Sequence, residues 1–292
     1  MTLASNRCLF LLTLATALIS LSCWIWPLDI WLSAPFFAGQ GTAERFPLGQ
    51  SVPVQLTYHL VPLITAIAAA VLGATLLWRP MPRRWRHAWI VLALTLALGP
   101  GIVVNGIMKP FWGHPRPVAV VEFGGTASYL PPPLPAFGER ARGFPSGHTA
   151  AASAALAPLF IWRRRRWLML VCLGFIVFTA AGRLVAGGHF FSDLWWGFYL
   201  TYLMSWFAYH ANRRWRLHHK LATHGQNWPL RSLGIALVSA TLLFLPLDHV
   251  RGAWAAAREL HFSLLSDKPP LAAASADQQL GRNNEFISTT TP

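Results

Sequence analysis

Charge is scarce in this sequence: only 12% of its 292 residues are charged, and 10 acidic side chains stand against 24 basic ones. With 54% hydrophobic residues and 15 tryptophans, that shortage excludes both an ordinary soluble globular domain and a disordered chain. Cysteine is scarce too, with three residues. Cys8, Cys23 and Cys172 all fall in apolar runs, which excludes a disulfide framework and a cysteine-spaced metal site and leaves packing as their role. No internal repeat is found, so a solenoid is excluded, and no linker divides the apolar part of the chain in two.

What the sequence has instead is apolar runs near the length that crosses about 30 Å of hydrocarbon. They lie at residues 8–26, 58–78, 89–108, 148–162, 167–187 and 194–210. The expected fold is therefore all-α, a polytopic membrane helix bundle with six core transmembrane helices. Residues 232–247 are apolar but short of the usual ~20, which makes them a candidate seventh, C-terminal hydrophobic helix, tilted or shallow. Residues 1–248 read as one transmembrane domain, and residues 249–292 as a polar C-terminal tail, partly disordered for lack of apolar periodicity.

The net charge of +14 raises the question of nucleic acid, but the placement of the basic residues points to a bilayer. Arg79, Arg83, Arg84 and Arg86 follow the second span, Arg163 to Arg166 the fourth, and Arg213, Arg214, Arg216, Lys220 and Arg231 the sixth. The positive-inside rule puts these loops and the N-terminus in the cytoplasm, and segments 27–57, 109–147 and 188–192 on the outer side. Gly99, Pro100 and Gly101 predict a kink within the third span, and PPPLP at 131–135 predicts extended, semi-rigid backbone in the longest outer loop.

Three polar clusters sit at the outer ends of spans three to six. KPFWGHPRP, residues 109–117, holds Lys109 and Arg116 near the membrane surface, where an outer loop is expected to be poor in such charges. GFPSGHT, residues 143–149, precedes an alanine-rich helical run, so Ser146, Gly147 and His148 should form a helix N-terminal turn. Free N–H groups and the helix dipole there favour an anion.

The third cluster, GRLVAGGHFFSDLWWG, spans residues 182–197. His189 and Asp193 are four apart, so on a helical turn the carboxylate can accept from one ring nitrogen and leave the other as a nucleophile. Arg183 offers a planar fork suited to phosphate oxygens. Charges near the bilayer centre cost ~2.5–3.5 kcal/mol each, so unpaired structural roles are disfavoured. A buried Arg183–Asp193 salt bridge would account for two of these residues but not for His189, Lys109 and Arg116. His210, His218, His219 and His224 lie among cytoplasmic basic residues, and His59 and His114 are ambiguous, His114 being within reach of substrate.

Taken in order, Lys109 with six residues before Arg116-Pro117, then Pro145-Ser146-Gly147-His148, then Arg183 with five residues before His189 and three more before Asp193, resemble the tripartite signature of the type 2 phosphatidic acid phosphatase superfamily. The likeness covers residues 58–210, and one position departs: Gly182 stands where the family usually has serine before the arginine. The resemblance implies catalysis by His189 as phosphohistidine-forming nucleophile, Asp193 as its orienting partner and His148 as acid toward the leaving group. Lys109, Arg116, Arg183, Ser146 and Gly147 would bind the phosphate oxygens, and no cofactor or metal is called for.

The implied enzyme is a bacterial inner-membrane lipid phosphatase whose partners are the bilayer and a membrane lipid phosphate, not nucleic acid, and whose site faces the periplasm. The segment RPVAVVEFGG, residues 116–125, looks similar to lipid phosphatases that act on the 1-phosphate of lipid A. Undecaprenyl diphosphate, phosphatidylglycerol phosphate and phosphatidic acid stay open, as does transfer to a lipid acceptor instead of water. A transporter of anionic lipid or phosphate is the reading from another class. It predicts basic residues spread through the membrane depth and gives no reason for the His189–Asp193 spacing.

Overall fold

The computed structural model describes residues 3–42, 44–78, 82–135, 141–162 and 165–219. The candidate seventh helix at 232–247, the tail at 249–292 and Arg79, Arg163, Arg164, Lys220 and Arg231 lie outside the described residues. Within them the chain is all-α, and its only β-type pairing is an isolated bridge between Val120 and Ala127.

The helices run α1 Asn6–Ile25, α2 Leu28–Ser33, α3 Val52–Trp78, α4 Arg83–Leu96, α5 Lys109–Trp112, α6 Gly147–Ser153, α7 Arg166–Val185 and α8 Phe191–His219. Between α4 and α5 the chain continues without a break as a π-helix, Ala97–Met108. The interruption expected at Gly99-Pro100-Gly101 thus takes the form of widened turns. Pro100 cannot donate to the ladder, and its own carbonyl is bonded by the side-chain amide of Asn105 at 2.6 Å.

Segments Asn6–Ile25, Val52–Thr75, Trp85–Ala119 and Arg166–Val185 are long and apolar enough to cross a membrane. Their outer faces carry the hydrophobic side chains that the bundle does not bury, among them Leu14, Leu18 and Leu21 on α1, Leu63 and Ile67 on α3, and Leu170 and Phe178 on α7. Water would penalise such faces and lipid does not. The segments expected at 148–162 and 194–210 are helical but lie inside the bundle. α6 and its 3₁₀ continuation, Ala154–Phe160, bury Ala150, Ala152, Ala154 and Ala157, and these small side chains let neighbouring backbones approach. α8 packs against α1, α4, α6 and the π-helical segment, so it is the central post.

A second, smaller core lies under the outer loops. Phe46, Val120, Phe123 and Phe190 are buried together, with Phe37 against Phe46 and Phe123 at ring separations of 5.8 and 5.3 Å. This cluster pins the turn between α7 and α8 from outside. PPPLP, expected to be extended, turns at Pro132-Pro133 instead. Trp24 Nε1 donates to the Pro132 carbonyl at 2.8 Å and Trp112 Nε1 to that of Pro133 at 2.7 Å, and these two anchors outweigh the polyproline preference.

Candidate active site

Each of the three polar clusters contains a helix end. Gly113, at φ 60°, adopts the left-handed conformation that stops α5 and turns the chain into His114. Ser146 caps α6, its hydroxyl accepting from the Thr149 N–H at 3.4 Å and the Thr149 hydroxyl at 3.2 Å. Asp193 sits in the first turn of α8, where one carboxylate oxygen accepts the Phe190 N–H at 2.9 Å.

Backbone hydrogen bonds then join the clusters pairwise. Gly143 N–H donates to the His114 carbonyl at 2.7 Å, Val118 N–H to the Gly187 carbonyl at 3.2 Å, and Ser146 N–H to the Asp193 carbonyl at 3.0 Å. Three segments far apart in sequence are therefore held to one another by main chain, which side-chain substitutions leave largely intact.

Within this frame His189 is fully buried, and its Nδ1 lies 3.6 Å from Asp193 Oδ2. Asp193 Oδ1 faces a second imidazole, His114 Nδ1, at 3.7 Å. One carboxylate thus stands between two histidines. With Nδ1 turned to the carboxylate, Nε2 is the His189 nitrogen left for chemistry. Burial, reinforced by the positive charges of Arg183, Lys109 and Arg116, holds the His189 imidazole well below its ordinary range, so it is neutral and carries a lone pair.

The cations surround this histidine. Arg183 is buried, its guanidinium 4.8 Å above the Tyr58 ring, and its Nε donates to no protein group, an orphaned donor that an anion would satisfy. A Cβ built on Gly147 would lie 2.9 Å from Lys109 Nζ and 2.9 Å from Asn105 Oδ1, so the missing side chain is what lets the ammonium reach the N-terminus of α6. Arg116 is exposed at the rim, with its charge felt at Lys109, Arg183 and His189. His148 stacks on Tyr58 with ring centroids 5.3 Å apart, and its Nε2 is 3.0 Å from the Tyr58 carbonyl. A carbonyl only accepts, so Nε2 carries the proton and the tautomer is set.

All eight sequence-selected residues, Lys109, Arg116, Ser146, Gly147, His148, Arg183, His189 and Asp193, therefore belong to one neighbourhood. Ser146 is the most engaged in structure, its oxygen occupied by capping while its own O–H stays able to donate. Among the described residues no three His, Cys, Asp or Glu side chains gather as a metal-ligand set. His59 and His210 lie elsewhere, His59 edge-on to Tyr58 and His210 3.2 Å from the Ala4 carbonyl at the other end of the bundle.

One contributor escaped sequence reasoning. Asp29, buried in α2, accepts the Ser192 N–H at 2.8 Å, the Ser192 hydroxyl at 2.5 Å and the Tyr129 hydroxyl at 3.1 Å, fastening the start of α8 next to His189. Burial pushes its carboxyl above the ordinary range, and the Ser192 donors oppose that shift. The available signal was an acidic residue directly after the first span, in a chain with only 10 of them. His114, ambiguous in the sequence, is buried behind Asp193. Gly182 also has a structural reason: a Cβ there would sit 2.6 Å from Thr57 Oγ1, so a serine does not fit while Thr57 fills the space.

Sequence comparison agrees with this geometry. A lipid A 4'-phosphatase of Francisella tularensis subsp. novicida is 32% identical over 135 residues, covering 43% of this chain and 59% of that protein. Lipid A 4'-phosphatases of Rhizobium leguminosarum and Rhizobium etli are each 33% identical, over 103 and 102 residues, covering 34% of this chain and 44% and 40% of theirs. The chain thus aligns with between 40 and 59% of the length of these relatives. No solved structure matches it. The model of the PAP2 superfamily matches residues 88–217, which carry all three polar clusters.

Proposed function

We propose that the protein is an integral-membrane lipid phosphate phosphatase that works through a phosphohistidine on His189. The observation that carries this reading is the buried His189, with Nδ1 turned to Asp193 at 3.6 Å and the charges of Arg183, Lys109 and Arg116 acting on it. In the first step His189 Nε2 attacks phosphorus in line with the leaving oxygen; the N–P bond forms as the P–O bond to the lipid breaks. The His189 Nδ1–H becomes a stronger donor as positive charge develops, and Asp193 stabilises it. His148, protonated, gives its proton to the departing oxygen. In the second step water attacks phosphorus, His148 takes its proton back, and inorganic phosphate leaves His189 unmodified.

Lys109, Arg116, Arg183 and the Gly147 N–H hold the equatorial oxygens, with the Ser146 hydroxyl as a further donor. Fixed positive charge at those oxygens is the main lever a protein has on phosphoryl transfer. His114 acts one layer back, as a positioning residue whose Nδ1–H holds Asp193 Oδ1 while Oδ2 faces His189. The 3.6 and 3.7 Å separations are long for hydrogen bonds and would tighten around a bound phosphate.

The substrate is inferred to be a phosphorylated glycolipid of the lipid A kind. The three relatives, lipid A 4'-phosphatases, favour the 4'-phosphate over the 1-phosphate that residues 116–125 suggested, and undecaprenyl diphosphate ranks behind both. Basic residues near the ends of α4 and α8, opposite the clusters, support a site facing the periplasm from a bacterial inner membrane. The test is purified protein against a panel of lipid phosphates without divalent metal, with products resolved to tell released phosphate from phosphate moved to a lipid acceptor. Turnover lost in His189→Ala and His148→Ala is expected; robust turnover by His189→Ala would overturn the mechanism.

A further inference from the structure

Beside the phosphate-binding cations lies a cavity of about 490 Å³, far larger than a phosphate needs. Tyr58 and Arg183 form its inner wall, and both belong to the catalytic neighbourhood: the Tyr58 carbonyl holds His148, and the Arg183 guanidinium lies over the Tyr58 ring. Through Arg183, the cavity adjoins the place where the phosphate would bind.

The outer wall has a different composition. Glu44, Arg45, Gln50 and Gln55 line it, with Phe46 and Val118 between them. A cavity for an acyl chain would be lined by aliphatic side chains, and one for a second phosphate by cations alone. One carboxylate, two carboxamides and one guanidinium offer both donors and acceptors, the mixture that suits neutral hydroxyl groups. Phe46 and Val118 add apolar surface for the C–H face of a ring.

The wall is also held in shape. Gln55 Nε2 donates to the Gly49 carbonyl at 2.8 Å, which commits its amide orientation and leaves Oε1 as acceptor. Arg45 Nη1 donates to the Val118 carbonyl at 3.0 Å, and Gln50 Nε2 reaches Glu44 Oε2 at 3.4 Å. Gly49 packs so closely on α7 that a Cβ would lie 3.2 Å from Ala186 Cα, which fixes this wall relative to Arg183. Glu44 to Gln55 precede the residues 88–217 that match the superfamily, whereas Val118, Arg183 and Ala186 of the same cavity lie within them.

We propose that this cavity is a headgroup subsite that takes the sugar ring bearing the scissile phosphate, and that Glu44, Gln50 and Gln55 select a saccharide over a glycerol or prenyl phosphate. The inference rests on the phosphatase reading above. The test compares kcat/KM of the purified full chain for a phosphorylated glucosamine lipid and for phosphatidic acid with the same acyl chains. Wild type is expected to favour the glycolipid at least tenfold, and Gln55→Leu and Glu44→Gln to lower that ratio about tenfold, mainly through KM of the glycolipid. A second measurement needs no variant: soluble glucosamine phosphate should inhibit the wild type at least tenfold more strongly than glycerol phosphate. Equal inhibition, or a substrate ratio that neither substitution moves, would overturn the subsite. If wild type hydrolyses neither lipid, the phosphatase reading fails instead.

Discussion

Replacing Gly147 with alanine asks the site to accept one methyl group at its tightest point. The new Cβ would lie 2.9 Å from both Lys109 Nζ and Asn105 Oδ1, well inside ordinary van der Waals contact. Asn105 resists, because its amide is bonded to the Pro100 carbonyl at 2.6 Å; the ammonium, at the end of a flexible stem, gives way. It must retreat by roughly half an ångström to one ångström, and displacement on that scale costs about 10²-fold in rate. Losing one charge-stabilising donor outright costs about 10²–10³-fold. Gly147→Ala is therefore expected to lower kcat/KM about 10²-fold, or ~2.7 kcal/mol of transition-state stabilisation. Stability should fall by only about 1 kcal/mol, the low end for an overpacked site. Kinetics on Gly147→Ala, Lys109→Ala and the double variant check the cause: because the methyl acts by moving Lys109, the double variant should lose no more than Lys109→Ala alone. A Gly147→Ala enzyme with wild-type kcat/KM, or losses that add, would refute the reasoning.

Other outcomes follow from neighbouring contacts. His114→Phe should lower kcat about 10–100-fold with KM nearly unchanged, the usual scale for a group that orients another, while His114→Asn, which keeps an N–H donor, should recover part of the loss; a change in KM alone would make His114 a binding residue. Gly182→Ser should destabilise the protein by roughly 1–3 kcal/mol through the Thr57 contact, and adding Thr57→Ala should restore the melting temperature. Because His189 is held below its ordinary range, its neutral form persists as pH falls through about 6.5. The acid limb of kcat/KM, corrected for ionisation of the substrate phosphate, should lie below that pH; a nucleophile titrating at 6.5 would contradict the burial described here.

The candidate site residues were legible where local rules govern them. Ser146 and Gly147 announce a helix N-terminus, and the His189–Asp193 spacing anticipates a side-chain pair, although His189 precedes α8 and the carboxylate also caps that helix through Phe190. Asp29 and the second face of Asp193 were not legible, because Ser192 is 163 residues from Asp29 and nothing local announces their bond. His114 was visible but ambiguous, since burial behind a carboxylate is a property of packing. The turn at Pro132-Pro133 escaped for the same reason: Trp24, over a hundred residues away, decides it. The cavity walled by Glu44 and Gln55 is legible only once the outer loop has folded back onto α7.

The most direct measurement is rapid acid-free quenching of the enzyme with phosphate-labelled lipid, followed by mapping of the label. An alkali-stable, acid-labile phosphate on His189 Nε2 is expected in wild type, accumulating in His148→Ala when a good leaving group is supplied and absent from His189→Ala. Label on any other residue, or turnover by wild type with phosphorus transferred directly to water and no labelled enzyme, would contradict nucleophilic catalysis by His189.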